Sequence, residues 1–262
     1  MVNIQQLRKS FGRLDVLKGV DLALDTPGIK AILGPNGSGK TTLMKSILGM
    51  VIPDSGTITV AGDPIRGRWD YRSQLGYLPQ IARFPDNLTV RELLHFVADL
   101  RKEEPHWDPL VERFGLTPFW HKRLGHLSGG TRQKVNIVLA FMYDAPLLML
   151  DEPTAGLDPV ALQSLKGLLR EERARGKRII ITSHIMDFVE EMADEIVFLL
   201  EGTVYYQGTP QALKDRYGQS RLEPAIAEIL RDPYAAPRPV AQRSAHHNGA
   251  TRPISSPQTI LS

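Results

Sequence analysis

The sequence contains no cysteine, no long hydrophobic run and no large excess of either charge. The absence of cysteine excludes disulfide bonds and thiolate-held metal ions. The longest apolar stretches, 135–143 and 146–150, are too short and too interrupted to cross a bilayer. The first residues, MVNIQQLRKSFG, lack the apolar core that secretory signals carry, so we expect no such signal.

Charge is close to balanced, since 32 basic and 29 acidic residues give a net charge of +3 over 262 residues. The excess lies in residues 235–262, which contain three arginines and no acid, so the rest of the chain is formally neutral. A nucleic-acid-binding domain carries a basic stripe on its folded part. We therefore expect no nucleic-acid partner.

Short apolar segments alternate with helical patterns along most of the chain. The predicted strands are 2–7, 16–24, 29–33, 57–61, 147–150, 178–182, and a hairpin of 195–200 with 203–207. A mostly helical pattern, interrupted by prolines, occupies about 81–145. This alternation is typical of an α/β domain whose mainly parallel sheet is covered on both faces, here with a helical insertion.

The composition changes near the C-terminus. Residues 233–262 are rich in Pro, Ala, Ser, Gln and Arg and have almost no aromatic residue, so we expect a disordered tail after one domain at 1–232. The tail contains the pair His246-His247. Histidine pairs can bind copper, but in such a tail we expect a solvated pair.

The residues after strand 29–33 match the pattern G-x-x-x-x-G-K-[ST], between a buried strand and a helix as that pattern requires. The glycines let backbone N–H groups converge on a phosphate, and the helix N-terminus attracts the same anion. Lys40 should reach the β- and γ-phosphates, and the Thr41 hydroxyl should bind Mg²⁺. A plain glycine-rich turn is the alternative. The predicted nucleotide-binding residues here are Gly34, Pro35, Asn36, Gly37, Ser38, Gly39, Lys40, Thr41 and Thr42.

Two acids, Asp151 and Glu152, end the apolar strand LLMLDE. Acids at the end of a buried strand are costly unless a cation or hydrogen bonds compensate. Beside a phosphate-binding loop, Asp151 is the candidate to hold Mg²⁺ and Glu152 the candidate to polarise the attacking water. A solvated acid pair is the alternative.

A second candidate anion site lies at Leu127-Ser128-Gly129-Gly130, which leads into a helix. Free N–H groups and a hydroxyl at a helix N-terminus can bind a phosphate. The alternative is that Ser128 only caps the helix.

These motifs stand in one fixed order, and the chain resembles the nucleotide-binding domain of ABC transporters over about residues 2–220. GPNGSGKT is similar to the family's Walker A motif, LLMLDEP to its Walker B motif and LSGGTRQ to its signature motif. Gln80, Asp158 and His184 stand at the positions of the Q-loop, D-loop and switch residues. Phe11 stands where the family stacks an aromatic ring on adenine.

The resemblance implies a P-loop NTPase core with a mainly parallel sheet, a small antiparallel β subdomain and an inserted α-helical subdomain. It implies ATP and Mg²⁺ as cofactors, with Lys40, Glu152 and His184 as catalytic residues. Thr41, Gln80 and Asp151 would lie at the metal ion.

The same resemblance implies two partners. Two ATPase domains, identical or homologous, would pair head to tail, so that Ser128 and Gly130 of one close on the ATP of the other and Asp158 crosses the interface. An integral membrane permease would dock beside the apolar segment 81–96 and hold the protein at the cytoplasmic face of the cell membrane.

Two positions depart from the family pattern. Thr131 replaces the usual Gln of the signature motif, but Ser128 and Gly130 remain, so we expect the phosphate contact to survive. Phe11 replaces a common Tyr, and stacking needs only an aromatic face. We therefore expect a competent ATPase.

Other ABC-type functions fit the sequence less well. Soluble ABC ATPases that act on DNA carry long coiled-coil insertions, and ribosome-acting ones carry two ATPase domains in one chain. This chain has one P-loop and a short, proline-interrupted insertion. The segments GMVIPDSGTI and GYLPQIARFPDNLTV resemble the ATPase of the copper-processing system for nitrous oxide reductase maturation, although multidrug exporter ATPases have similar segments.

Overall fold

The computed structural model describes residues 1–101 and 103–231, which form two β-sheets surrounded by α-helices. The strands are β1 (Val2–Phe11), β2 (Leu14–Leu24), β3 (Gly28–Leu33), β4 (Ser55–Val60), β5 (Asp63–Pro64), β6 (Leu75–Leu78), β7 (Leu147–Asp151), β8 (Arg178–Thr182), β9 (Glu195–Leu200) and β10 (Thr203–Gly208). The α-helices are α1 (Lys40–Ile47), α2 (Val90–Arg101), α3 (Asp108–Arg113), α4 (Gly129–Phe141), α5 (Pro159–Ala174), α6 (Met186–Met192), α7 (Pro210–Tyr217) and α8 (Leu222–Arg231). The predicted tail, 233–262, and its pair His246-His247 lie outside the described residues.

The larger sheet has the strand order β10-β9-β3-β8-β7-β6. Its neighbours pair in parallel except at one edge, where β10 runs antiparallel to β9. Strands β3 and β7 are buried along their whole length, because their sequences GIKAIL and LLMLD are covered on both faces. The predicted α/β class with a mainly parallel sheet is confirmed.

The smaller sheet is antiparallel, with the order β2-β1-β4-β5. Helix α1 lies between this sheet and one face of the larger one. Its side chains Leu43, Met44 and Ile47 share an apolar cluster with Val20 of β2 and Ile32 of β3. The small sheet thus fixes α1, and with it the glycine-rich loop that precedes α1.

The other face of the larger sheet is covered by helices α2 to α8, whose apolar side chains form the second cluster. Ile29, Ala31 and Leu33 belong to this cluster, whereas Ile32 belongs to the first one, as the twofold periodicity of a strand requires. The segment 81–145 contributes α2, α3, α4 and 3₁₀ turns at Thr117–Phe119 and Leu124–His126. None of the helices described is long and apolar enough to cross a bilayer.

Helix α4 approaches β6 closely at Gly76. A Cβ atom at this glycine would lie 2.3 Å from Ala140 O of α4, so only glycine fits between the strand and the helix. This contact sets the position of α4, which carries the signature motif at its N-terminus, relative to the larger sheet.

Replacing Gly76 with Ala should therefore destabilise the protein by about 1–3 kcal/mol, because an extra methyl group overfills a packed contact. Gly167→Ala in α5 is the matched control, since the nearest atom to an added Cβ is Arg113 Nη2 at 3.9 Å. That change should be neutral or should stabilise the helix by up to about 1 kcal/mol. Urea unfolding measures both, and a Gly76→Ala protein as stable as wild type would contradict the contact.

Candidate functional site

Four neighbouring parallel strands bring the candidate residues to one edge of the larger sheet. The loop 34–40 follows β3, Gln80 lies two residues after β6, Asp151 ends β7 and His184 lies two residues after β8. Ligands bind at the carboxyl ends of strands in open α/β sheets. The sheet order therefore assembles a site from segments that are up to about 150 residues apart in the sequence.

The loop 34–40 can be built only with glycine at two of its positions. Gly34 has φ 147°, and a Cβ there would lie 2.2 Å from Leu199 O. Gly39 has φ 103°, and a Cβ there would lie 2.8 Å from Leu17 Cδ2 of the small sheet. Within the loop the Ser38 N–H donates to Pro35 O at 3.2 Å, and the other N–H groups are the candidates to bind an anion.

Lys40 begins α1 and folds back over the loop. Its Nζ donates hydrogen bonds to Gly34 O at 2.8 Å and to Pro35 O at 3.0 Å. Burial lowers the pKa of Lys40, while the negative charges of Glu152 and Asp151 act in the opposite direction. The ammonium group and the two carboxylates therefore influence one another across the site.

Ser38 Oγ is a further polar group of the loop. It is buried and has no hydrogen-bond partner within the described part of the chain. Buried hydroxyls without a partner are rare in folded proteins, and a ligand at the loop would supply one. Thr41 and Thr42 follow Lys40 in the first turn of α1, where Thr41 is exposed and Thr42 half-buried.

The acid pair lies at the end of β7, and both side chains are buried. Asp151 accepts a hydrogen bond from the Thr182 hydroxyl on Oδ1. Glu152 has φ 50°, a left-handed conformation that is uncommon for residues other than glycine. Its backbone N–H donates to Thr182 O at 3.2 Å and to Thr182 Oγ1 at 3.1 Å.

His184 lies next to the acid pair. Its side chain is 77% exposed, and Nδ1 is 2.9 Å from Glu152 Oε2. Glu152 Oε2 has no hydrogen-bond partner among the described residues, so this approach is a close contact of the two groups and not a hydrogen bond. The imidazole is thus close enough to interact with Glu152 and open enough to contact a ligand.

Ser128 and Gly130 form a second group at the N-terminus of α4. Ser128 is the N-cap: its Oγ accepts from Thr131 N at 3.2 Å and lies 2.9 Å from Thr131 Oγ1. The capping role considered as an alternative is therefore present. A Cβ at Gly130 would lie 2.7 Å from Gly156 O, so packing within the chain already requires glycine here.

Asp158 belongs to this second group. It caps α5 by accepting from Ala161 N at 2.8 Å, and its Oδ2 is 2.7 Å from Lys134 Nζ of α4. The hydrogen bond from Lys134 is the main cause that lowers the pKa of Asp158, and the Ala161 N–H adds to it. The start of α4 and the loop before α5 are thereby joined.

Gln80 and Phe11 lie at the borders of the site. Gln80 is exposed, and the carbonyl of the preceding Pro79 accepts from Asn136 Nδ2 of α4 at 3.1 Å. Phe11 is 50% exposed on the β1–β2 hairpin, with Lys9 Nζ 5.3 Å from its ring centroid. Leu17 of the same hairpin contacts the glycine-rich loop.

The predicted residues thus fall into two groups. Lys40, Asp151, Glu152 and His184 lie together, and Ser128, Gly130 and Asp158 lie together. Within 1–101 and 103–231, no hydrogen bond or ion pair joins the second group to the first. The sequence analysis missed Thr182, Lys134 and Asn136, whose contacts depend on strand register and helix packing.

Comparison with known proteins agrees with this geometry. The family described as "ABC transporter" matches residues 17–155, more than half of the chain. A second family, "AAA domain, putative AbiEii toxin, Type IV TA system", matches the shorter segment 123–190.

Individual relatives cover most of the chain. Nod factor export ATP-binding protein I of Rhizobium sp. (strain N33) is 36% identical over 222 residues, which are 82% of this chain and 73% of that protein. A solved ATP binding subunit of an ABC transporter has a TM-score of 0.83 at 30% identity, covering 88% of this chain and 99% of that one. A dimeric bacterial ABC transporter cassette, 23% identical with a TM-score of 0.72 over 80% of this chain and 98% of its own, shares the fold. The chain belongs to the ABC transporter family, as an ATP-binding subunit that is an ATPase coupled to transport.

Proposed function

We propose that residues 1–232 form the motor domain of a transporter and that the group around Lys40 binds and hydrolyses ATP. The observation that carries this proposal is the convergence of a phosphate-binding loop, two buried acids and a histidine at adjacent strand ends. The remaining nucleotide contacts are proposed for Phe11, on the adenine, and for Pro35, Asn36, Gly37, Ser38, Gly39, Thr41, Thr42 and Gln80 around the phosphates.

The residues fit a magnesium ion as well as a nucleotide. Thr41, Gln80 and Asp151 offer hydroxyl, amide and carboxylate oxygens, which are the donors that Mg²⁺ prefers. No group of three or more His, Asp or Glu side chains in the described residues could hold a metal ion by itself. This suits an ion that is held by one or two side chains and the phosphates, where it neutralises phosphate charge.

The proposed chemistry divides between three residues. Lys40, freed from the Gly34 and Pro35 carbonyls, stabilises charge on the γ-phosphoryl group. Glu152 accepts a hydrogen bond from the attacking water and orients it toward phosphorus. His184, beside Glu152 Oε2, contacts the γ-phosphate. Positioning and charge stabilisation account for the rate, since phosphoryl transfer needs no covalent intermediate on the protein.

The second group of residues supports a dimer. No hydrogen bond or ion pair joins Ser128 or Gly130 to the Lys40 group within the described residues, so we propose that this helix N-terminus meets the triphosphate of a second subunit. We propose a head-to-tail pair of ATPase domains, identical or homologous, in which Asp158 lies at the interface. The alternative, a soluble ABC ATPase that acts on nucleic acid or the ribosome, would use the same dimer without a permease.

A membrane permease is the proposed second partner. Ile81 and Phe96 are 72% and 55% exposed, and Leu100 lies one helical turn after Phe96 and is also exposed. Val90 and Leu93, by contrast, are buried in the protein, and Phe84 and Leu88 are partly buried against the core. We call Ile81, which follows Gln80 in the chain, and Phe96 and Leu100 of α2 the apolar patch; these exposed apolar side chains suit docking of a permease segment, which would hold the subunit at the inner face of the cell membrane.

We propose that the transported substrate binds the permease and not this subunit. A relative is named for Nod factor export, which favours an exporter. The copper-processing subtype rests on the two segments that resemble it, and the reading frames beside the gene would test it: a polytopic membrane protein next to a periplasmic copper-site protein would support it.

The first prediction concerns Glu152. Glu152→Gln should retain ATP binding, because Lys40 and the loop are unchanged, and should lower turnover at least about 100-fold by removing the group that orients water. Without hydrolysis, the ATP-bound dimer should accumulate in size-exclusion chromatography. Hydrolysis at the wild-type rate would contradict the role of Glu152.

The second prediction concerns Ser128. Ser128→Asp keeps an N-cap for α4 but directs a carboxylate at the partner's triphosphate, so ATPase activity should fall at least about tenfold. Ser128→Asn is the matched control, since it caps the helix without a charge and should retain more activity than Ser128→Asp.

Mixing variants tests whether the two groups meet across a dimer. Lys40→Ala and Ser128→Asp proteins should each have strongly reduced activity alone. A mixed dimer would carry both defects at one nucleotide and none at the other, so mixing the two proteins should restore part of the activity. Failure of the mixture to exceed the sum of its components would argue against head-to-tail pairing.

The third prediction concerns the apolar patch. Phe96→Asp should lower co-purification with the membrane subunit at least about tenfold, as expected for an anchor residue of an interface. Ile52→Asp is the control, because Ile52 is 68% exposed in the loop between α1 and β4. Undiminished co-purification of Phe96→Asp in detergent would count against docking at this patch.

A further inference from the structure

Thr182 joins the two acids at the end of β7. It is the last residue of β8, and the register of the sheet pairs it with Asp151. Its hydroxyl donates to Asp151 Oδ1 and accepts from Glu152 N at 3.1 Å. The residue is 1% exposed, so water does not compete for either hydrogen bond.

Both acceptors of the Glu152 N–H belong to Thr182. The N–H donates to the Thr182 carbonyl at 3.2 Å and to its hydroxyl at 3.1 Å. Glu152 has φ 50°, a conformation that persists only where surrounding contacts hold it. Thr182 therefore holds the backbone of Glu152 on its N–H side, while the Glu152 carbonyl accepts from Ala155 N at 3.1 Å.

The hydroxyl also restricts Asp151. A hydrogen bond on Oδ1 fixes the rotation of the carboxylate, which sets where its other oxygen points. Threonine is well suited to this, because its branched Cβ limits χ1 and keeps the hydroxyl in one direction. A single buried hydroxyl thus couples the orientations of both acids.

We propose that Thr182 is a positioning residue for ATP hydrolysis, which holds Asp151 and the backbone of Glu152 in the orientations that hydrolysis requires. The inference rests on the proposed roles of Asp151 and Glu152. Thr182 acts through them and does not itself contact the nucleotide. Its effect should therefore appear in the catalytic step and not in nucleotide binding.

Thr182→Val tests this, since valine has nearly the same shape and lacks the hydroxyl. We expect kcat to fall between about 10-fold and 100-fold, as for a small misplacement of catalytic groups. The affinity for a fluorescent ATP analogue measured in EDTA should stay within about twofold of wild type, because nucleotide binding without Mg²⁺ does not depend on Asp151. Thr182→Ser restores the hydroxyl and should recover most of kcat.

Ile181→Val is the matched control for a packing defect in β8. Ile181 is fully buried, and the change removes a methylene group one residue before Thr182 without touching either acid. It should lower the thermal unfolding midpoint while leaving kcat near wild type. If Thr182 has only a structural role, Thr182→Val should lose kcat only to the extent that it loses stability.

Two results would overturn the inference: a wild-type kcat for Thr182→Val, or a Thr182→Ser protein as impaired as Thr182→Val. Either outcome remains distinct from failure of the proposed function. If Glu152→Gln is inactive and wild type is active while Thr182→Val is unimpaired, the catalytic assignment stands and only the positioning role is wrong.

Discussion

The site depends on keeping two adjacent carboxylates, Asp151 and Glu152, nearly out of water at the end of a buried strand. Such a pair costs free energy unless hydrogen bonds or cations compensate. Thr182 supplies the hydrogen bond to Asp151, and the charge of Lys40 acts on both acids from the neighbouring loop. Because β8 lies between β3 and β7, Thr182 at the end of β8 stands between the loop that leads to Lys40 and the strand that carries the two acids.

Helix α4 links this edge of the sheet to the second group of residues. Gln133 and Asn136 are one turn apart on its buried face, and their amides donate to Pro153 O at 3.3 Å and Pro79 O at 3.1 Å. These carbonyls belong to the loops after β7 and β6, next to Glu152 and Gln80. A displacement of either loop must therefore break these bonds or move α4, which carries Ser128 at its N-terminus. The chain thus has a physical path between its nucleotide group and the surface that would face a partner.

Elements that are defined by short sequence patterns were predicted well. Contacts between residues that are far apart in the sequence could not be predicted. The strand 178–182 was predicted with its observed bounds, and the loop 34–40 was recognisable from the spacing of its glycines before Lys40-Thr41. Strand β6 was missed because its short sequence, LGYL, contains a glycine. This glycine is required by the close approach of Ala140 from α4, a contact that the sequence does not show. Helix α5 was also left unassigned, although Asp158-Pro159, an N-cap followed by proline, is a usual helix start. The role of Thr182 could not be read locally, since it follows from its register with Asp151 across 31 residues.

The substitution at Thr131 changes the signature motif in a way that suits its proposed task. A serine hydroxyl has one proton to donate and two lone pairs to accept with. In this chain Ser128 Oγ accepts from Thr131 N, and the hydroxyl of Thr131, 2.9 Å away, can occupy the second lone pair. The proton of Ser128 is then the group left to donate, and it lies at a helix N-terminus that already attracts an anion. With Thr131 as the donor of this hydroxyl pair, Ser128 keeps its proton for the phosphate contact that we propose across the dimer; with Ser128 as the donor, that proton is used within the chain.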